Sequence, residues 1–287
     1  MARVVMLCLS IFFSLLLVII IVGLLKKSVP VFQQQSFWSI ISSDDWHPQQ
    51  GKFGMLAFIM GSIWVTVISL IIAVPLSLLT AIFLVEYAGR RIRNIASSFI
   101  DILAGIPSVI FGVWGLLMIV PLISNYIAPK FHVTTAGYTI LAASIVLAIS
   151  ILPVIINVLI EIFQTVSADL RNAALSLGAT KWQMIKKVVL RKALPGIVAA
   201  VVLGLSRAFG ETIAVLMVVG NVPKIPHSVF DAGYPLPALI ANNYGELLSI
   251  PLYDSALMLS ALVLLLIVII FNIISRIIID KLEKNVI

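Results

Sequence analysis

A chain of 287 residues that is 61% hydrophobic and only 11% charged is excluded from the soluble globular class; the composition is that of a polytopic membrane protein. The net charge of +7 does not point to nucleic acid, because basic residues in so apolar a chain collect in the loops on one side of a membrane. A single cysteine, Cys8, excludes an internal disulfide framework and implies no redox chemistry.

In chain order, Val4 to Leu25 carries no charge and is too long for the apolar stretch of a cleaved leader. No small-x-small site follows it, so it is read as an uncleaved first span. Gln33 to Gly54, with Asp44, Asp45, Trp46, His47 and Pro48, is a polar segment outside the membrane. Met55 to Val85 is a second apolar run, long enough that Pro75 is expected to kink it or that part lies outside the hydrocarbon. Arg90, Arg91 and Arg93 make a basic turn, and a third span is expected from Ile95 to about Ile123, with Asp101 near its start. Asn125 to Thr135 turns back, and Ala136 to Ile162 is the fourth span. Leu194 to Val219 is the fifth, Asn221 to Asp254 a long loop rich in Pro, Gly and Asn, and Ser255 to Ser275 the sixth.

The expected fold is therefore all-α, with six transmembrane helices. It divides into residues 1–54 (first helix and external segment), a core of five helices at 55–280 that includes the polar loop 164–195, and a short tail at 281–287. An even number of spans puts both termini on one side. With the amino end inside, Arg3, Arg90, Arg91, Arg93, the six Lys and Arg residues between Ser167 and Pro195, Arg276, Lys281 and Lys284 face the cytoplasm. Only Lys26, Lys27, Lys52, Lys130 and Lys224 lie outside. That asymmetry supports cytoplasmic termini, with Lys26 and Lys27 on the disfavoured side.

The segment Ser167–Pro195 is rich in charge between two apolar runs and is expected to fold as two short helices and a turn. Ser167 is placed to cap the first helix and Asp169 to meet the positive end of its dipole; Gly178 suits the left-handed residue that ends it. Thr180 then opens a second helix, with Gln183 three residues on completing a capping box. Leu170, Ala173, Ala174 and Leu177 share one face of the first helix, and Trp182, Ile185 and Val189 one face of the second. Such a hairpin, with Lys181, Lys186, Lys187, Arg191 and Lys192 around it, is a docking surface.

Arg207 and Glu211 lie inside the fifth apolar run. At 1.5 Å per residue Arg207 is about 20 Å from Pro195, deep in the bilayer. A charge there costs at least ~2.5 kcal/mol, so it must face protein or a water-filled path. The i,i+4 spacing on a continuous helix would place both groups on one face. They would form either a self-contained ion pair, joined by Asp101, or an anion pathway. In the second reading Arg207 offers its planar donor fork, and Glu211 accepts the hydrogen of a protonated oxyanion or tempers the cation.

Other signals carry less. His47, His132 and His227 are far apart and lack ligand spacing, so no metal site is expected, and no cofactor. Gly105-Ile106-Pro107 is a helix breaker rather than a phosphate cradle. Trp38, Trp46 and Trp64 are read as interfacial anchors. No Gly-x-x-x-x-Gly-Lys-Ser/Thr occurs, so any nucleotide hydrolysis must come from another chain.

Asn172-Ala173-Ala174, then Gly178 and Ala179, then Val188-Val189-Leu190, resembles the EAA loop with which permeases of ABC importers grip their ATPase. Asn172 stands where that family has Glu, which is expected to weaken one polar contact to the ATPase. Arg191 stands where it has Pro, so Pro195 is expected to take over as helix breaker. Asp101-Ile-Leu-Ala-Gly105-Ile-Pro107-Ser108-Val-Ile-Phe-Gly112, followed by Trp114-Gly115, resembles the third span of permeases for inorganic phosphate. Ser206-Arg207-Ala-Phe-Gly210-Glu211-Thr212-Ile-Ala-Val-Leu-Met, then Gly220-Asn221, is similar to their fifth span, in the PstC-type more than the PstA-type subunit.

The resemblance implies a type I importer fold and a substrate pathway at Arg207, Glu211, Thr212, Asp101 and Ser108. It also implies ATPase contacts at Asn172, Ala173, Ala174, Gly178, Ala179 and Leu190. The partners it implies are a second, homologous permease, an ATPase dimer and an extracytoplasmic phosphate-binding protein. Other readings stay open: a permease for molybdate or sulfate, a secondary transporter using Glu211 or Asp101 as proton relay, and a regulatory membrane subunit.

Overall fold

The computed structural model describes residues 2–246, 250 and 252–286. Six helices among them are long and apolar enough to cross a membrane: Val5–Gln34, Leu56–Tyr87, Ser108–Lys130, Ile140–Thr165, Lys181–Gly210 and Tyr253–Leu282. The expected number of spans is present, but the bounds of the first, third, fifth and sixth move, the sixth running on to Leu282 instead of stopping at Ser275.

The first helix, α1 (Ala2–Gln34), runs past Leu25 and takes Lys26, Lys27 and Pro30 with it. Lys27 meets Asp254 at 3.4 Å, at the far end of the bundle from the 167–195 hairpin. The external segment is not merely polar. It holds the short α2 (Phe37–Ser42) and a two-residue hairpin, β1 (Trp46–His47) against β2 (Lys52–Phe53). Trp46 is packed edge-on against Phe58, Phe53 and Tyr253, with ring centroids at 4.9, 5.7 and 6.1 Å; it anchors this cap rather than a lipid interface. Trp38, 75% exposed, keeps the interfacial role open to it.

The helix α3 (Leu56–Ile82) passes through Pro75 and ends in a π-helical turn, Phe83–Tyr87. The expected third span is then corrected. Arg90–Gly105 is a separate amphipathic helix, α4, and the chain breaks at Ile106-Pro107 as the Gly-Ile-Pro signal requires. The membrane-length helix begins only at Ser108, as α5 (Ser108–Trp114), α6 (Val120–Leu122) and α7 (Ala128–Lys130) joined by two π segments. Asp101 therefore lies on α4, outside the third span.

Next comes α8 (Ile140–Thr165), capped by Thr139, whose side chain accepts from the Ala142 amide. With 67% of its most apolar stretch buried, against 33% or less for the other five, it is the central post of the bundle. The hairpin helices are α9 (Ala168–Ser176) and α10 (Lys181–Met184), and a π turn leads from α10 into α11 (Leu190–Gly210). Pro195 does not break the helix, contrary to expectation: α11 runs straight through it. Pro195 lies well inside the continuous helix Lys181–Gly210, where it forgoes a backbone bond to the Arg191 carbonyl without ending the helix. The expected fifth span ends early, at Gly210, and only the short α12 (Ile213–Leu216) follows. The loop after it contains α13 (Leu236–Asn243), and α14 (Tyr253–Val286) closes the bundle.

Packing falls into two clusters. The larger gathers Val65, Leu147, Ile155, Leu159 and Phe163 with the inner faces of α3, α8 and α11. The smaller joins Phe53, Met55, Phe58, Tyr234, Leu236 and Leu257 under the external cap.

Candidate functional site

Two places on this scaffold have the chemistry for work. The first is the hairpin. Gly178 has φ +81°, and its amide donates to Leu175 O while that of Ala179 donates to Ala174 O, at 3.0 and 3.2 Å. These paired bonds satisfy the last carbonyls of α9 and require the left-handed residue. The capping box is complete: the Thr180 amide donates to Gln183 Oε1 at 2.9 Å and the Gln183 amide to Thr180 Oγ1 at 3.3 Å. Ser167 occupies the N-cap position, but its side chain accepts no cap bond, so that part of the expectation fails.

The hairpin shows its apolar residues to the outside. Leu177 is 89% exposed, and Leu170, Leu175 and Trp182 are exposed as well, whereas Ile185 and Val189 are buried. Trp182 is thus separated from the two residues expected to share its face. Asn172, Ala173 and Gly178 are exposed; Ala174, Ala179 and Leu190 are half-buried. These exposed apolar side chains on a polar, charged turn are suited to a protein contact.

The second place is the end of α11. Glu211 is extended, at φ −76° and ψ 120°, immediately after the last helical residue. The i,i+4 argument fails for that reason: Arg207 and Glu211 do not share a helical face, and no ion pair joins them among the described residues. Arg207 sits in the last turn of α11, where the negative end of the helix dipole favours a cation, and it is exposed. Glu211 is half-buried and lines a cavity of about 10 Å³, with Ser62, Thr66, Leu147, Ala208 and Pro235 around it; that is room for about one water. Ser62 is already engaged, donating to Phe58 O at 2.9 Å and accepting from the Leu236 amide at 2.8 Å. Thr66 lies ~15 Å along α3 from Leu56, so the break at Glu211 sits near the middle of a hydrocarbon layer ~30 Å thick.

Thr212 is half-buried at the break, its hydroxyl donating to Gly210 O at 3.5 Å. Asp101, exposed on α4, accepts from Asn157 Nδ2 of α8 at 2.9 Å, and half-buried Ser108 opens α5. Neither shares a hydrogen bond or ion pair with Arg207 or Glu211. The third- and fifth-span motifs do meet, but elsewhere. A Cβ built on Gly112 of α5 would stand 3.2 Å from Ala214 Cα and 2.6 Å from Met217 Sδ, so the glycine is what lets α5 and α12 close together.

Sequence reasoning missed Glu86 and Arg171, whose side chains form an ion pair at 2.9 Å with only 6% and 18% exposure. A lone carboxylate at the end of an apolar run, and a cation three residues from Ala174 on the inward side of a helix, were the available signals.

Residues 73–287 match the family described as binding-protein-dependent transport system inner membrane component. The phosphate transport system permease protein PstC of Pasteurella multocida is 37% identical over 96% of this chain and 90% of its own length. PstC of Xylella fastidiosa is 37% identical over 86% of this chain and 80% of its own. Among solved structures, an inward-facing MetNI methionine ABC transporter chain superposes with TM-score 0.60 at 21% identity, covering 79% of this chain and 95% of that one. A bacterial alginate ABC importer chain gives 0.57 at 17%, covering 93% and 95%. These structural likenesses establish the shared ABC-permease fold. The chain is a multi-pass membrane protein and belongs to the binding-protein-dependent inner membrane transport components, in the PstC family of permeases.

Proposed function

We propose that this chain is a permease subunit of an ATP-driven importer of inorganic phosphate, with residues 55–280 as its transport domain and ATP hydrolysis on a separate pair of subunits. The supporting observation is Arg207, an exposed guanidinium near the middle of an otherwise apolar bundle. Lipid cannot solvate it, so its exposed side faces a second permease chain and a water-filled path between the two. The PstC relatives, named for phosphate transport, supply the substrate. A tetrahedral oxyanion suits a guanidinium fork that donates to two oxygens at once.

In this reading Arg207 draws the anion into the bilayer. Glu211, held on irregular backbone beside a water-sized cavity, accepts the hydrogen of the monoprotonated or diprotonated ion and keeps the site from binding too tightly to release. Thr212 offers a hydroxyl at the same level. Asp101, exposed on α4 and bonded to Asn157, is assigned to the mouth of the path, with Ser108 at the following break. The hairpin faces the cytoplasm with both termini, as the distribution of cations favours. Its exposed Leu177, with Asn172, Ala173, Ala174, Gly178, Ala179 and Leu190 forming the frame, docks on the ATPase. An extracytoplasmic phosphate-binding protein delivers the ion at the opposite end. ATP binding closes the ATPases and opens the bundle outward; hydrolysis reverses the motion and releases the ion inward.

The test is uptake of labelled phosphate by cells with and without the chain, under excess sulfate or molybdate, with ATP and the proton gradient depleted separately. Uptake that needs the chain, follows ATP and ignores the competitors is expected. Uptake that collapses with the proton gradient, or that sulfate or molybdate blocks, would contradict the energy source or the substrate.

A further inference from the structure

Three cations from three helices converge on one turn of α3, and none of them belongs to the pathway assigned above. The turn is the π-helical Phe83–Tyr87. From α4, Arg93 donates through Nε to Leu84 O at 2.9 Å and through Nη2 to Val85 O at 2.7 Å, capping carbonyls that the helix end leaves without partners. From α9, Arg171 donates through Nη2 and Nε to Glu86 Oε1 at 2.9 and 3.1 Å, and also to the carbonyls of Phe163 and Val166 at the end of α8. From the start of α10, Lys181 Nζ lies 4.5 Å from the centroid of the Tyr87 ring.

The hairpin helix α9 buries none of its residues. Its apolar hold on the bundle is slight, with half-buried Ala174 alone of its residues packed against the larger cluster; Arg171 is the polar inward connection. An exposed ion pair would yield to any displacement, because water and salt screen it. This one is shielded and fixed by three further donor–acceptor contacts of the same guanidinium, so α9 cannot shift without moving Glu86 or breaking the set. Glu86 terminates the helical rod whose other half carries Ser62, Val65 and Thr66, three walls of the Glu211 cavity.

We infer that Arg171 and Glu86 are positioning residues for transport: the pair carries displacement of the hairpin into α3, and α3 carries it to the wall beside Glu211. The inference rests on the hairpin being the docking surface of a separate ATPase. Neither residue touches the transported ion; both act through α3.

The test uses the complete complex, purified and placed in liposomes, with phosphate moved per ATP hydrolysed as the readout and subunit co-purification as the control for assembly. Arg171→Met and Glu86→Gln each leave a buried charge without its partner, so a loss of assembly in either single variant is a structural effect. The double variant, Arg171→Met with Glu86→Gln, removes both charges and restores assembly. The relay predicts that the assembled double variant still hydrolyses ATP while phosphate moved per ATP stays about 10-fold down. Arg171→Lys, which keeps the charge but loses the fork, should recover part of it. Phosphate per ATP restored to within twofold of the parent complex in the double variant would overturn the relay and leave a structural pair. A parent complex with no ATP-driven uptake would overturn the underlying function instead, and the relay with it.

Discussion

The hairpin and the end of α11 are opposites in composition and alike in what they lack. The hairpin is polar and charged, yet it leaves Leu177 89% exposed. The end of α11 is apolar, yet it leaves Arg207 exposed and Glu211 half-buried beside a cavity of about 10 Å³. Each shows the residue type that its own surroundings reject, and in the proposed function each meets a second molecule: a protein surface at one, a hydrated anion and a partner helix at the other. The difference lies in how each is held. Hairpin geometry is local, built from caps and turns a few residues apart, whereas the break at Glu211 is held by α3, α8 and the loop before α13.

That difference can be broken from either side. The largest effect is expected at Arg207. Replacement by Ala removes a charge-assisted contact worth about 1.5–3 kcal/mol, so uptake should fall ~10- to 100-fold while the complex still assembles. Full uptake would reduce Arg207 to packing. Next is Leu177→Ser, which should weaken ATPase binding by ~10-fold, since burying a leucine contributes about 1.5–3 kcal/mol, and leave the thermal stability of the chain itself unchanged. Titration of the purified ATPase checks it, and unaltered affinity would remove Leu177 from the interface.

Smaller still is Gly178→Val. Nothing stands within 4 Å of the added Cβ, so its cost is the left-handed backbone alone, about 1–2 kcal/mol. The hairpin should fray, read as faster hydrogen exchange at Ala179 and Leu177, with the bundle unaffected. The smallest concerns neither region and serves as a control. Hydrogen bonds from Lys52, then His47, hold the Asp45 carboxyl below the ordinary carboxylate range. Its depressed value means that its contribution to the external cap is present above the ordinary carboxylate range and lost as pH falls through the folded value. Acid should loosen the β1–β2 cap slightly before any change at the hairpin; Asp45→Asn should abolish that dependence.

The same contrast explains what could be read in advance. The caps at Gly178 and Thr180–Gln183 were legible because the residues that make them are neighbours in sequence. The six apolar runs were legible because a bilayer demands length and composition. The end of α11 at Gly210 was not, because no proline or charge run marks it; contacts of α12 with α5 and α8 impose it. Arg207 and Glu211 were recognisable as misplaced charges, but their relative geometry depended on that unmarked break. Glu86 and Arg171 stayed hidden because they are 85 residues apart, and nothing local joins them.

The central claim is that Arg207 faces water inside the membrane. In a chain carrying Cys8→Ser, Arg207→Cys and Ile270→Cys would be compared in the assembled complex under turnover, using a small anionic thiol reagent that does not cross lipid. Ile270 is a control, 55% exposed on an apolar helix. The account predicts rapid modification at position 207 and none at 270. Equal inertness at both positions would contradict it.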